Sequence, residues 1–440
     1  MKTEHQEGIV TVEVKLPKWA EGKHIDEIGF CREFLTLYPM AYCDGCFFTE
    51  KGRMTEQETR KQLYDYLCGF FKSGLVKKTD ALLEVLKLEC RNVKVETPEY
   101  KLVCANGVYD ICGGWLGKQQ AYYRYRLPVN YNPNAPEPVR WKRFLEDLLE
   151  PEDILTLQEY MGYCLLPIPY AQKMLLIIGS GGEGKSRIGI VLSALMGSCM
   201  ANGSLAKLEN SPFARADLQH RLVMVDDDLR LEALNNTNYI KSIITAEQPM
   251  DLERKGVQSY QARIHCRLLA FGNGNLRSLH DRSHGFFRRQ IILTTREKPA
   301  GRVDEPYLAS YLKEELEGIL LWCIEGVQRL MTQKMRFTIS HRARENLRQA
   351  MTEGNNLPEF FQSEGYFRFD PQGKISSRRL YALYRDWCDD NMTTALSART
   401  AFSWIQQNAG KYGLTFTYHI PGGDGRHVRG YLGIRPAGRV

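Results

Sequence analysis

Gly179-x4-Gly184-Lys185-Ser186 combines residue types and a spacing suited to holding phosphate. It follows five apolar residues, Met174 to Ile178, long enough for a buried strand, and precedes a helical run from Arg187 to Met196. Gly179, Gly181, Gly182 and Gly184 let the backbone curl until successive N–H groups point inward, a nest for phosphate oxygens. The positive end of the following helix dipole adds to the same point. Lys185 would reach the β- and γ-phosphates, and the Ser186 hydroxyl would be a ligand of Mg²⁺. The stretch therefore predicts a site for a nucleoside triphosphate, ATP, with Mg²⁺.

A phosphate loop alone leaves kinases, GTPases, transporters and motors open, and the parts that follow decide among them. About forty residues on, the apolar strand Arg221 to Val225 ends in Asp226-Asp227-Asp228. A carboxylate at such a strand end can hold Mg²⁺, and its neighbour can polarise an attacking water. Asp226 is assigned to the metal, Asp227 to the water and Asp228 to a cap. A third strand, Arg267 to Phe271, ends in Gly272-Asn273. An amide at its tip can touch both the γ-phosphate and the lytic water. Arg288 and Arg289 then precede a fourth strand, Gln290 to Thr294, where they could reach a neighbouring subunit's nucleotide as a finger.

The set Gly-Gly-Glu-Gly-Lys-Ser, Val-Asp226-Asp227, Phe-Gly-Asn273 and Gly-Phe-Phe-Arg-Arg289 resembles the superfamily 3 helicases, AAA+ motors of phages, plasmids, mobile islands and small viruses. The likeness is closer to the helicase half of phage and plasmid primase–helicases, including the poxvirus type. It runs from about Leu102 to the C-terminus, taking in Asn106-Gly107-Val, Tyr381-x-x-Tyr-x-x-Trp387 and Arg429-Gly-Tyr431. Relatives often have a glutamate in the acidic pair, where this chain has Asp-Asp. The resemblance implies a ring, a hexamer, in which each nucleotide site is completed by its neighbour. It also implies a DNA-gripping hairpin between the acidic strand and the Asn273 strand. Here that interval holds Met250 to Tyr260, with Arg254 and Lys255-Gly256 at the turn. A cation in a central pore would follow a phosphate backbone without reading sequence.

Other elements must position these residues. The expected architecture is an α/β AAA+ P-loop ATPase core (167–335). Before it lie an N-terminal α+β accessory domain (1–100) and a hairpin with a helical collar for oligomerisation (101–166). A linker and a winged helix follow (336–440). In the accessory domain, Val10, Val12, Val14 and Leu16 alternate as in an edge strand, and Thr55-x-x-Glu58 is a capping box opening a helix. Cys43-Asp-Gly-Cys46 has metal-ligand spacing, with His24 and Cys31 upstream, but Asp44-Gly45 also reads as a hairpin turn. Asn106-Gly107 predicts a second two-residue turn. Ala121 to Arg126 alternates Tyr and Arg, either a half-exposed strand or a base-stacking strip. Helices are expected over 139–150, 152–166 and 316–330, and an arginine-rich linker helix over 336–356. The C-terminal pattern reads as three helices and then strands 414–420 and 428–434 around a glycine-rich tip. From residue 355 on, eleven Lys or Arg face seven acids, and Arg426, His427 and Arg429 flank the tip. A basic wing of this kind binds duplex DNA.

Composition agrees with this organisation and excludes little else. Hydrophobic residues make up 43% and charged residues 25%, a folded balance, and the net charge of +7 permits nucleic acid as a partner. No run approaches the ~18 apolar residues of a membrane span. Twelve cysteines without a repeating frame read as small buried hydrophobes of a reducing compartment, here the cytoplasm of a bacterial host. The expected activity is an ATP-dependent replicative helicase and initiator that moves on single-stranded DNA and binds duplex at an origin. A separate primase is an expected partner, because the first hundred residues show no primase motifs. The rival reading is an AAA+ DNA-binding ATPase that acts as a regulatory or defence switch without unwinding.

Overall fold

Alternate residues of Met174–Gly179 face opposite sides of a sheet, and both sets are apolar, so this strand can only be central. Leu175 and Ile177 enter one core; Met174, Leu176 and Ile178 enter another. The same two-sided pattern recurs in the neighbouring strands. In the computed structural model, which describes residues 17–21, 24–229, 237–273, 284–298, 305–421 and 426–437, these strands form one parallel sheet of five. We label them β1 (Met174–Gly179), β2 (Met200–Asn202), β3 (Val223–Leu229), β4 (Arg267–Asn273) and β5 (Gln290–Thr294). The order is β2-β3-β4-β1-β5, every pair parallel. Fully burying each aliphatic side chain contributes about 1.5–3 kcal/mol, so covering both faces of the sheet stabilises the fold.

One face is covered by α1 (Ser186–Met196) together with the helices Pro151–Cys164 and Leu316–Thr332, all in the same core. The expected collar is thus continuous with the sheet's packing. Gly162 and Gly326 allow its two long helices to meet closely: a Cβ on Gly326 would collide with the Gln158 carbonyl, and one on Gly162 with the Cys323 carbonyl. Glu159, fully buried between them, accepts hydrogen bonds from Arg329 Nε at 2.7 Å, Thr338 N at 2.7 Å and Gln333 Nε2 at 2.9 Å. The other face is covered by Leu205–Asn210, Asn238–Thr245 and His341–Gly354. The arginine-rich sequence of the last reads as a linker helix, but it is not one. Its Ala350 lies in the core, Asn346 donates to Ile292 O at 3.1 Å, and it belongs to the sheet's covering layer.

Residues 17–96 pack around a separate aromatic core containing Trp19, Phe30, Phe34 and Phe47. The predicted capping box is present: Thr55 Oγ1 accepts from Glu58 N at 3.2 Å, and Glu58 accepts from Thr55 N at 2.6 Å. Cys43 and Cys46 close a hairpin through Asp44 (φ 50) and Gly45 (φ 77), both left-handed as a tight two-residue turn requires. Among the described residues, no three His, Cys, Asp or Glu side chains gather as a metal site. The alternating strand expected at residues 10–16 lies outside the described residues.

One expectation needs correction. Cys104 pairs with Gly107, so the turn residues are Ala105-Asn106, one earlier than Asn106-Gly107. Asn106 instead clamps Tyr131, donating to its carbonyl and accepting from its N–H, each at 2.9 Å. Gly107 is needed because a Cβ there would sit 2.8 Å from the Gly117 backbone. Of the two readings of the Tyr/Arg stretch, the strand is the one present, at Tyr122–Tyr123, and the stacking strip is not. Tyr123 and Tyr125 are buried, Arg124 pairs with Asp44 at 2.7 Å, and Arg126 donates to Ala105 O at 2.7 Å.

At the C-terminus, Phe367–Ser376, Thr415–Pro421 and His427–Pro436 form a three-stranded antiparallel sheet against the helices Ser377–Asp390 and Ala398–Asn408. The strand Phe367–Ser376 was not anticipated, because Asp370-Pro-Gln-Gly373 bulges it and hides its alternation. The glycine-rich tip, 422–425, lies outside the described residues; Arg426 and Arg429 beside it are exposed.

Candidate active site

The carboxyl ends of β3, β4 and β1 meet at one cleft, beside the strand where the chain order reverses, the usual ligand crevice of an open α/β sheet. Asn273 is in register with Gly179, which sets the amide beside the glycine loop. The cleft, about 370 Å³, is lined by Lys185, Ser186, Asp227 and Asn273 among others. With Gly182 and Gly184, six of the residues singled out in the sequence are therefore brought together. Gly181, Gly182 and Gly184 take φ of 111°, 81° and 106°, a backbone that side chains resist. Gly179 is required by crowding: a Cβ there would strike Thr295 Oγ1 and come within 2.8 Å of Lys185 Nζ.

Glu183 is a site residue that the motif spacing does not flag. Its carboxylate is buried in the loop, accepts the Gly181 N–H at 2.7 Å and pairs with Lys185 Nζ at 2.7 Å. Burial alone would raise its pKa, but the Lys185 and backbone hydrogen bonds outweigh it and hold the carboxyl below its ordinary value. The nest thus already cradles an anionic group, and its lysine already faces one. That is the observation by which the loop fits a phosphate.

The acidic triplet sits inside β3 rather than after it, at a bulge between Asp226 and Leu229 that re-aims its side chains. Asp226 is buried and accepts from Leu205 N at 2.8 Å. Burial raises its pKa, and the backbone N–H groups of Leu205 and Asp228 only partly offset this. Asp227 is exposed and lines the cleft with Lys185; both aspartates also line an adjoining space with Ser186 and Lys313. Glu305, Pro306 and Leu308 form the opposite wall, residues carrying no motif by which sequence reasoning could find them.

Arg288 and Arg289 are not brought to the cleft. Gln290 is in register with Met174, so both arginines lie at the amino ends of the strands. Five residues at ~3.3 Å each put them roughly 16 Å from the loop along the sheet. Arg288 is exposed, and Arg289 donates to Gly285 O at 2.6 Å. The predicted hairpin forms between Met250–Arg254 and Val257–Ala262, with Lys255 exposed at its turn. Arg254, expected on DNA, donates to Asp44 O at 2.8 Å and Gln219 Oε1 at 2.7 Å, tying the hairpin base to the N-terminal region.

No helix among the described residues is long and apolar enough to cross a membrane. A family model described as D5 N terminal like matches residues 11–150, and a family of unknown function (DUF5906) matches residues 177–289. The first match extends well before Leu102, where the sequence resemblance began. The fold is similar to an A-form apo structure of the NrS-1 C terminal region, 11% identical over 91% of this chain and 98% of that one, with a TM-score of 0.51. A second apo structure of that region is 10% identical over 92% and 99%, with a TM-score of 0.50. Residues 11–150 are thus similar to the D5 N terminal like family, and the mixed α/β fold is similar to that of the NrS-1 C terminal region.

Proposed function

We propose that the chain is an ATP-dependent DNA motor of phage or mobile-element replication, a ring-forming helicase and initiator. One observation carries the reading: Lys185, Ser186, Asp227 and Asn273 line a single cleft at the carboxyl ends of adjacent parallel strands. The D5 N terminal like match and the fold shared with the NrS-1 C terminal region support a replication role.

In this reading the loop N–H groups and Lys185 bind the triphosphate once Glu183 has yielded its place. Ser186 and Asp226 would hold Mg²⁺, which supplies neutralisation of phosphate charge when bound. Asp227, the more accessible of the two, accepts the proton of the attacking water, while Asp226 braces the bulge through Leu205 N. Asn273 orients that water against the γ-phosphate. Arg288 or Arg289 serves the neighbouring subunit's site, since neither reaches its own. Lys255 follows single-stranded DNA, and Arg426 and Arg429 hold duplex DNA through a winged helix.

Strand displacement on forked DNA, with ATP turnover followed in parallel, tests the proposal. Displacement that requires ATP and stops in Lys185→Ala is the expected result. DNA-stimulated turnover without displacement points instead to an ATPase switch, and no turnover removes the site.

A further inference from the structure

A cleft larger than the proposed nucleotide site lies apart from it. It measures about 970 Å³ and lies between the N-terminal three-stranded sheet on one side and β2 with the segment leading into β3 on the other. Arg53 enters it from the N-terminal side; Arg221, Arg254 and Lys255 enter from the P-loop domain. Three acids also line it, but two are occupied: Asp44 pairs with Arg124 at 2.7 Å and Glu56 with Lys87 at 2.8 Å. Among the described residues, no carboxylate forms an ion pair with Arg53, Arg221 or Lys255. Arg221 spends one N–H on the Ser198 carbonyl, and its Nε is buried with no hydrogen-bond partner. Burial, then the nearby charge of Arg53, lowers the Arg221 pKa, so two like charges from two domains face each other.

Asp217 is the one lining acid left near Arg221, so the cations outnumber the anions that face them, and the cost of holding them together is recovered when a polyanion enters. Tyr42, packed on Phe47, and Tyr260, beside Arg254, also line the cleft, as do Gln57 and Asn202. Cations that follow a backbone, interleaved with aromatic faces, make a sequence-tolerant site for an unpaired strand. Lys255 belongs both to this cleft and to the hairpin turn, so the cleft continues the path assigned to the hairpin. We propose that this cleft binds single-stranded DNA, Arg53 and Arg221 contacting its phosphates, so that the N-terminal region forms one wall of the DNA path. The inference rests on the DNA-motor reading above.

The test uses the full chain and a fluorescent oligo-dT probe, titrated across a salt series without nucleotide. Arg53→Ala and Arg221→Ala should each weaken binding several-fold. Each should also flatten the dependence of log K on log salt by about 0.7, one phosphate's worth. ATP turnover without DNA should match that of the parent. Arg53→Lys should recover most of the binding, which a folding defect would not allow. An oligonucleotide carrying 5-iodo-deoxyuridine should photocrosslink to Tyr42 or Tyr260. Unchanged affinity and slope in both alanine variants, with crosslinks elsewhere, overturn the cleft while leaving the motor reading intact. Parent protein that binds no oligonucleotide at all removes the motor reading first. Protection of the cleft by pyrophosphate alone, with no effect of oligo-dT, assigns it to a small phosphate ligand and overturns the proposal.

Discussion

The two edges of the parallel sheet hold different parts of the proposed site. The carboxyl edge gathers Lys185, Ser186, Asp227 and Asn273 around the cleft. The amino edge holds Arg288 and Arg289, roughly one strand length away. In a parallel sheet every strand leaves by the same edge, so loops that follow strands cluster and loops that precede them cannot join. A residue in the second class can serve a nucleotide only from another copy of the chain. In the proposed motor, the difference between the edges separates what one subunit would supply from what a neighbouring one would supply.

The largest effect should come from the carboxyl edge. Lys185→Ala should reduce ATP turnover by roughly 10²-fold or more with an unchanged circular dichroism spectrum, because a phosphate contact leaves a preformed loop. Normal turnover would dissolve the distinction between the edges. Next, Arg289→Ala protein mixed with Lys185→Ala protein should regain part of the lost turnover, wherever a sound finger meets a sound loop. Co-assembled rings that regain none would place the arginine's work elsewhere.

Asp227→Asn should retain ATP binding while turnover falls by about 10²–10⁴-fold. Asp226→Asn should also lower the melting temperature, since its carboxylate anchors Leu205 N. The opposite pattern in calorimetry and turnover would exchange the two roles. A smaller effect of the other sign is expected from Glu183→Gln. Neutralising the group that occupies the nest should tighten ATP binding by up to about tenfold, about 1.4 kcal/mol. Weaker binding would show that Glu183 assists the nucleotide rather than holding its place.

The smallest effect belongs to the amino edge, where His220 is buried beside Arg124 and Asp44. Burial, then the Arg124 charge, pushes its pKa down to about 3 from an ordinary 6.5. Below pH 6.5 the unfolded chain takes up a proton that the folded chain refuses. Its contribution is therefore full above pH 6.5 and is lost as pH falls from 6.5 toward 3. Removing each 1 kcal/mol of that pH-dependent loss should narrow the drop in melting temperature between pH 7 and pH 5 by roughly 2–4 °C in His220→Gln. An unaltered drop would mean that other groups set the acid sensitivity.

Which features were legible in the sequence follows from how local their causes are. Asp44-Gly45 and Thr55-x-x-Glu58 act within four residues, and the structure contains both as read. The turn at Asn106 failed because its side chain answers to Tyr131, twenty-five residues on. The strand Phe367–Ser376 failed because a bulge broke its two-residue period. The helix 341–354 looked like a linker because its cover, β5, is distant in sequence.

The sequence alone determined the glycine loop, the hairpin at Lys255-Gly256 and the amphipathic helices, because spacing and backbone preference act along the chain. Only the tertiary structure decided that Glu183 occupies the phosphate nest, that Asp227 rather than Asp226 lines the cleft with Lys185, and that Arg254 faces the N-terminal region. Those outcomes depend on which distant groups are packed alongside, and on whether burial leaves a charge any partner but the one beside it.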